Sequence, residues 1–217
     1  SFLVLFLLAS CSLQAQIIIT IAGDGTMGYS GDGGAATAGQ VYRPAGLTTD
    51  PIGNVYFADY ENNRIRKIDT NGIISTFAGG GMSYADGMPA TAVSLYKPYD
   101  VVYDNAGNFY IANAGSRRIN KVDGAGIITV IAGSGGMPGF SGDGGPATAA
   151  VFNNPAALAI DRIGNIYIAD LQNNRIRKID TFGIVTTVAG GGTGRLADGA
   201  PATAAKLDWP DGVAVDT

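Results

Sequence analysis

Four aspartates are the residues that type and spacing single out first. Asp32, Asp86, Asp143 and Asp198 each sit in a glycine-rich loop and recur at intervals of 54, 57 and 55 residues. Carboxylates in such loops offer the hard oxygen ligands that calcium takes. Calcium loops, however, draw several acids from about a dozen residues. Most of these loops offer one; the first adds Asp24. The spacing therefore favours a different role, in which the Asp side chain accepts hydrogen bonds from nearby backbone N–H groups and fixes a turn. No resident cofactor is expected, and calcium is left without support from ligand spacing. The chain has no histidine, which removes a His-bound zinc and a nucleophile–His pair together. Its glycine runs open no helix with Gly-Lys-Ser/Thr, so no phosphate loop is present. No catalytic residue and no metal ligand is assigned.

Charged pairs come next. Asp59 with Arg64, and Asp170 with Arg175, flank equivalent hairpin turns, where a charge-assisted pair would fix the turn. The intervening copy departs: Asn113 stands at the Asp position and Ser116-Arg117 replaces the Asn-Asn of the others, while Arg118 is kept. Loss of one charge predicts a more open, more basic surface there. Arg117 and Arg118 are the best candidates for a contact the other copies do not make.

The elements that carry these residues repeat. NVYFADYENNRIRKIDTNGIISTFAG (54–79), NFYIANAGSRRINKVDGAGIITVIAG (108–133) and NIYIADLQNNRIRKIDTFGIVTTVAG (165–190) are three copies of one stretch. A proline opens each surrounding unit: Pro44, Pro98, Pro155 and Pro210. A fixed period of this size marks a repeat architecture. Each unit reads as four short strands in an antiparallel meander. Asp-x-x-Gly turns (50–53, 104–107, 161–164; 69–72, 123–126, 180–183) join strands one to two and three to four. They suit a type I turn followed by a left-handed Gly. The turn between strands two and three carries an Asn pair that supplies positive φ without Gly. Ile65 and Ile68 fall on opposite faces of their strand, as expected of a sheet packed on both sides. Residues 17–22 match the closing strand of a unit, and the stretch from Pro210 matches an opening one. The expectation is three complete blades (44–97, 98–154, 155–209) with partial units at 16–43 and 210–217.

These motifs resemble the NHL repeat: the Tyr-x-Ala-Asp strand, the Asn-Arg-Ile-Arg-Lys-Ile strand, the Val-Ala-Gly strand end and the Gly-Asp-Gly-Gly-Pro-Ala-Thr-Ala loop. The resemblance covers nearly all of 17–217 and implies an all-β propeller of four-stranded antiparallel blades, open here for want of a full ring. Some NHL propellers resemble peptide-amidating lyases, which use His-bound metal; others in animals bind RNA through a basic face. A lactonase-like calcium site would need Glu, Asn and Asp ligands that have no assignable match here.

Meander parity puts the two-to-three turns and the long unit-to-unit loops on one face, with the Asp-x-x-Gly turns on the other. Long loops on a rigid scaffold are where binding usually lives. The candidate binding residues are therefore Tyr29, Asp32, Asn62, Asn63, Arg64, Tyr84, Asp86, Arg117, Arg118, Phe140, Asp143, Asn173, Asn174, Arg175 and Asp198.

Composition bounds the partners. Net charge −4 argues against nucleic acid. With 33 glycines yet 46% apolar residues, the chain is turn-rich and foldable rather than disordered. The apolar start FLVLFLLAS is too short to span a bilayer as a helix and reads as an export signal, ending near Ala15. Leu8-Ala9-Ser10-Cys11 also fits a lipobox, which would make Cys11, the sole cysteine, a lipid anchor. The sequence thus predicts an exported, bacterial-type scaffold, secreted or at the cell surface or in the periplasm. Its partner would be a protein, peptide or glycan. The alternative is a propeller enzyme whose catalytic residues lie in further blades.

Overall fold

The computed structural model describes residues 18–193 and 199–216. The leader, Cys11, Ile17 and Asp198 lie outside the described residues. Three meander sheets follow one another. The first is β1 (Pro44–Thr49), β2 (Val55–Asp59), β3 (Arg64–Ile68) and β4 (Ile74–Gly79), hydrogen-bonded in that order. After a two-residue strand β5 (Met88–Pro89) comes the second, β6 (Pro98–Tyr103), β7 (Phe109–Asn113), β8 (Arg118–Val122) and β9 (Ile127–Ala132). The third is β10 (Pro155–Ile160), β11 (Ile166–Asp170), β12 (Arg175–Ile179) and β13 (Val185–Gly190). These are blades 1, 2 and 3 of a propeller.

The Asp-x-x-Gly turns form as their chemistry requires. Gly53, Gly107 and Gly164 lie at φ 94°, 90° and 94°, the left-handed region that a side chain resists. Asp50 accepts from the backbone N–H groups of Ile52 and Asn54 and from the Asn54 amide and Tyr56 hydroxyl. Burial pushes the Asp104 carboxyl up, but the matching bonds from Asn108, Tyr110 and the Ala106 amide hold it below its ordinary value.

Between blades 1 and 2, Ile65, Leu95, Val101, Ile111 and Val122 form one buried cluster. Ile119, Ile168, Phe152 and Val185 anchor a second between blades 2 and 3. Ile68 turns the other way, against Ala36 and Phe57. Both faces of a blade are therefore apolar, which is why the isoleucines of β3 need not alternate. The long loops guard the outer edges. Ahead of each of the three blades the loop folds back so that β5 pairs with β9, or Ala35 or Pro146 bridges the residue leading into β4 or β13, then closes in a 3-10 turn of Ala-Thr-Ala. Loop pairing of this kind covers an edge that would otherwise be free to recruit another strand.

Two expected strands do not form. Neither 18–22 nor 210–216 enters a sheet. A strand needs a neighbour with free backbone groups, and no described strand supplies one there.

Inner strands β1, β6 and β10 lie side by side, and one side chain ties all three. Asp100 accepts from the Val101 N–H at 2.8 Å and, across the blade boundary, from the Leu158 N–H at 2.9 Å. On the other side it fills the space left by Gly46, where any Cβ would collide with its carboxylate. Burial pushes this carboxyl up to about 6, against the pull of the two amides.

Candidate functional site

The loop face is built from one device used twice. Arg66 lies with its guanidinium wholly buried in blade 1. It meets Asp59 Oδ2 at 3.2 Å and Asp32 Oδ1 at 2.6 Å, and donates to Ser30 O at 3.1 Å. Arg177 repeats this in blade 3 with Asp170 at 3.4 Å, Asp143 at 2.8 Å and Ser141 O at 3.2 Å. The loop aspartates are thus engaged by arginine. Burial pushes Asp32 up, but hydrogen bonds from Thr76 and Tyr29 and the Arg66 charge hold its carboxyl below the ordinary value. In Asp170 burial wins over Asn173, the Asn153 amide and Arg177, and its carboxyl is pushed up. Among the described residues no three His, Cys, Asp or Glu come together as a metal site.

This corrects the expected pairing of Asp59 with Arg64 and Asp170 with Arg175. Those residues are cross-strand neighbours in register, but the arginine that reaches the aspartate is two residues further along the strand. Period-two alternation puts Arg64 and Arg66 on one face of β3, and of the two it is Arg66 that bridges Asp59 and the loop Asp32. Arg64 instead donates to Asn62 O and lies on the Tyr29 ring, 3.8 Å from its centroid. Arg175 does the same on Phe140, also at 3.8 Å. Gly80 and Gly191 leave room for these guanidinium planes.

The Asn pairs divide their work. The first member faces its own loop: Asn62 Nδ2 donates to Gly28 O and to Asp59, and Asn173 Nδ2 to Gly139 O and Asp170. The second adopts positive φ, 57° at Asn63 and 55° at Asn174, and reaches the next unit. Asn63 Oδ1 accepts from Lys97 N at 2.8 Å, and Asn174 Oδ1 from Trp209 N at 2.9 Å.

Blade 2 keeps the loop aspartate and the first arginine, as Asp86 and Arg118, and departs at the other positions. Asn113 replaces Asp59 and, in step, Asn120 replaces Arg66. An acid and a base are lost together, so the predicted more basic surface is not formed by that exchange. Asn113 Nδ2 donates to Asn120 Oδ1 at 3.2 Å, both side chains being buried. Asp86 keeps its loop bond, accepting from Val130 N at 2.7 Å, but meets no cation. Arg117 takes the positive φ of the missing Asn and sends its guanidinium to Gly136 O at 3.3 Å.

The candidate binding residues therefore separate. Tyr29, Asp32, Phe140, Asp143, Asn173, Asn174 and Arg175 hold their own loops or the next unit. Asn62, Asn63, Arg64 and Tyr84 come together with Tyr96 and Ser116 around a groove of about 420 Å³ between blades 1 and 2. Tyr84 is 80% exposed and Tyr96 53%. Sequence reasoning missed Tyr96, Ser116 and Asn120; comparing the three copies at the Arg66 position would have exposed Asn120. The turn face also carries a hollow, about 540 Å³, beside Tyr56, Phe77, Tyr103 and Phe109. There the rings pack mainly on one another, with centroids 4.2–4.9 Å apart.

Three blades of this sequence and geometry define an NHL-type β-propeller. The family profile of the Teneurin NHL domain matches residues 22–85 and 136–217, and the chain belongs to that family. Teneurin-1 of Gallus gallus is 30% identical over 226 residues, covering 94% of this chain and 8% of that protein. Two solved structures from Bacteroides thetaiotaomicron share the fold, each with a TM-score of 0.61. One is a structural genomics protein of unknown function, 22% identical, with 80% of this chain and 42% of that one covered. The other is an auxiliary nutrient binding protein, 20% identical, with 83% and 44% covered. The chain thus spans a small part of the teneurins and under half of these structures.

Proposed function

We propose that the chain is part of a non-catalytic, extracytoplasmic binding scaffold whose ligand seats on the loop face, in the groove between blades 1 and 2. The observation that carries this is the convergence of exposed Tyr84 and Tyr96 with Asn62, Asn63 and Arg64 on a rigid frame. Concave surfaces with aromatic walls and a few fixed polar groups are the usual form of a binding site. In blades 1 and 3 the charged groups of this face are engaged in holding loops, which favours binding over catalysis. Export is supported by the leader-like first fifteen residues and by membership of the Teneurin NHL domain family. No described helix is long and apolar enough to cross a membrane. The partner is read as a peptide, protein or glycan, not nucleic acid, given the net charge of −4.

Paired variants test the reading. The full chain is applied to arrayed glycans and peptides alongside Tyr96→Ala on the loop face and Tyr103→Ala on the turn face. Binding lost in the first and kept in the second supports the proposal. The reverse pattern overturns it.

A further inference from the structure

The space that Arg66 and Arg177 fill in blades 1 and 3 is open in blade 2. A cavity of about 20 Å³, lined by Asp86, Asn113, Asn120, Arg118 and Ser116 among others, lies where the guanidinium would be. That is room for one water or one hydroxyl. It adjoins the loop-face groove, sharing Tyr84, Ser94 and Ser116 with it.

The hydrogen-bonding character of this socket is fixed by its neighbours. Asn113 Oδ1 accepts from the Tyr96 backbone N–H at 2.9 Å, so the amide cannot be turned round without setting donor against donor. Its Nδ2 must then point to Asn120, whose oxygen accepts it at 3.2 Å. The Asn120 Nδ2 is left as a donor, on a side chain only 4% exposed, with no protein partner among the described residues. The Asp86 carboxylate lines the same cavity, with one oxygen taken by Val130 N and the other without a partner among the described residues.

A group entering here must accept from Asn120 and donate to Asp86. A hydroxyl does both with one atom. An anion would face the Asp86 charge, and a cation would face the Asn120 donor with the Arg118 guanidinium alongside. Outside the socket, exposed Tyr84 and Tyr96 offer flat amphipathic walls of the kind that take the apolar face of a sugar ring. We infer that the groove recognises a neutral saccharide, one hydroxyl of which enters the blade 2 socket between Asn120 and Asp86 while its ring lies against Tyr84.

This inference rests on the loop-face reading of function and is tested separately from it. The full chain is titrated with neutral oligosaccharides, with uronic-acid-bearing oligosaccharides and peptides as controls. Asn120→Arg, which fills the socket as blades 1 and 3 do, should weaken neutral-sugar binding at least about tenfold, the loss expected from one or two hydrogen bonds. Asn120→Asp, which turns the donor into an acceptor at constant size, should do the same if the arginine variant folds poorly. Tyr84→Ala, at an exposed position, should weaken binding without moving the thermal midpoint. If peptides or acidic sugars bind in a Tyr96-dependent way and the Asn120 variants are silent, the saccharide inference fails and the loop-face proposal stands. If no probe responds to either tyrosine, both fail.

Discussion

Arg66 and Asp59 are both withdrawn entirely from solvent and meet at 3.2 Å, seven residues apart in sequence and on neighbouring strands. The pair is completed by Asp32 from the loop, which ties the loop to the blade edge. Buried charges are costly to separate, because the one left behind has neither water nor partner. Arg66→Met should therefore destabilise the chain by about 3–5 kcal/mol. The double change Asp59→Asn with Arg66→Asn, which copies blade 2, should cost less than the single changes summed. Urea denaturation of Arg66→Met, of the two single Asn changes and of their double checks this.

The Asn63 link predicts a graded effect between blades. Asn63→Ala loses the bond to Lys97 N and places Ala at positive φ, and should cost about 1–2 kcal/mol. Arg117 occupies the same place in blade 2 without offering an acceptor. Arg117→Asn should give Asn154 N–H its partner and stabilise by about 0.5–1 kcal/mol. Thermal unfolding midpoints moving down for the first and up for the second would agree; both moving down would not.

Asp100 predicts a pH dependence of known sign. Its folded pKa is about 6 against an ordinary 3.8, so the folded state holds the proton more tightly. Its contribution to stability is full below about pH 4 and is lost as pH rises through about 6. The shift corresponds to about 3 kcal/mol. Asp100→Ala, the residue type that β10 carries in the same place at Ala157, removes this slope. The stability of the native chain relative to that variant should thus fall between pH 4 and pH 7. A difference independent of pH would show that Asp100 has the same pKa folded and unfolded.

Most of the architecture was legible because it is local and repeated. Asp-x-x-Gly turns declare themselves by type, and apolar residues on both faces of β3 point to blades packed on both sides. Parity alone placed the loops with the Asn turns, as the 2.6 Å bond from Asn62 to Gly28 O shows. What was not legible depends on reach. The sequence puts Arg64 beside Asp59, but Arg66, on the same face two residues on, is the arginine held between Asp59 and the loop Asp32. Asn120 carries no signal as a residue type; its meaning comes from the arginine found at that place in the other two blades. Tyr96 and Ser116 likewise acquire a role only once loop and turn fold together.

All three blades share one socket, filled by arginine in the first and third and left open in the second. The most direct test is to fill it. Asn113→Asp with Asn120→Arg should place the introduced guanidinium between the new carboxylate and Asp86, at distances near those of Arg66, with the loop from Gly81 to Ser94 unmoved. A crystal structure of the double variant, with a denaturation cycle over the two single changes, reads this out. The expected result is that bridged geometry and a favourable coupling of about 1 kcal/mol or more between the two changes. A guanidinium turned out to solvent, with no coupling, would contradict it.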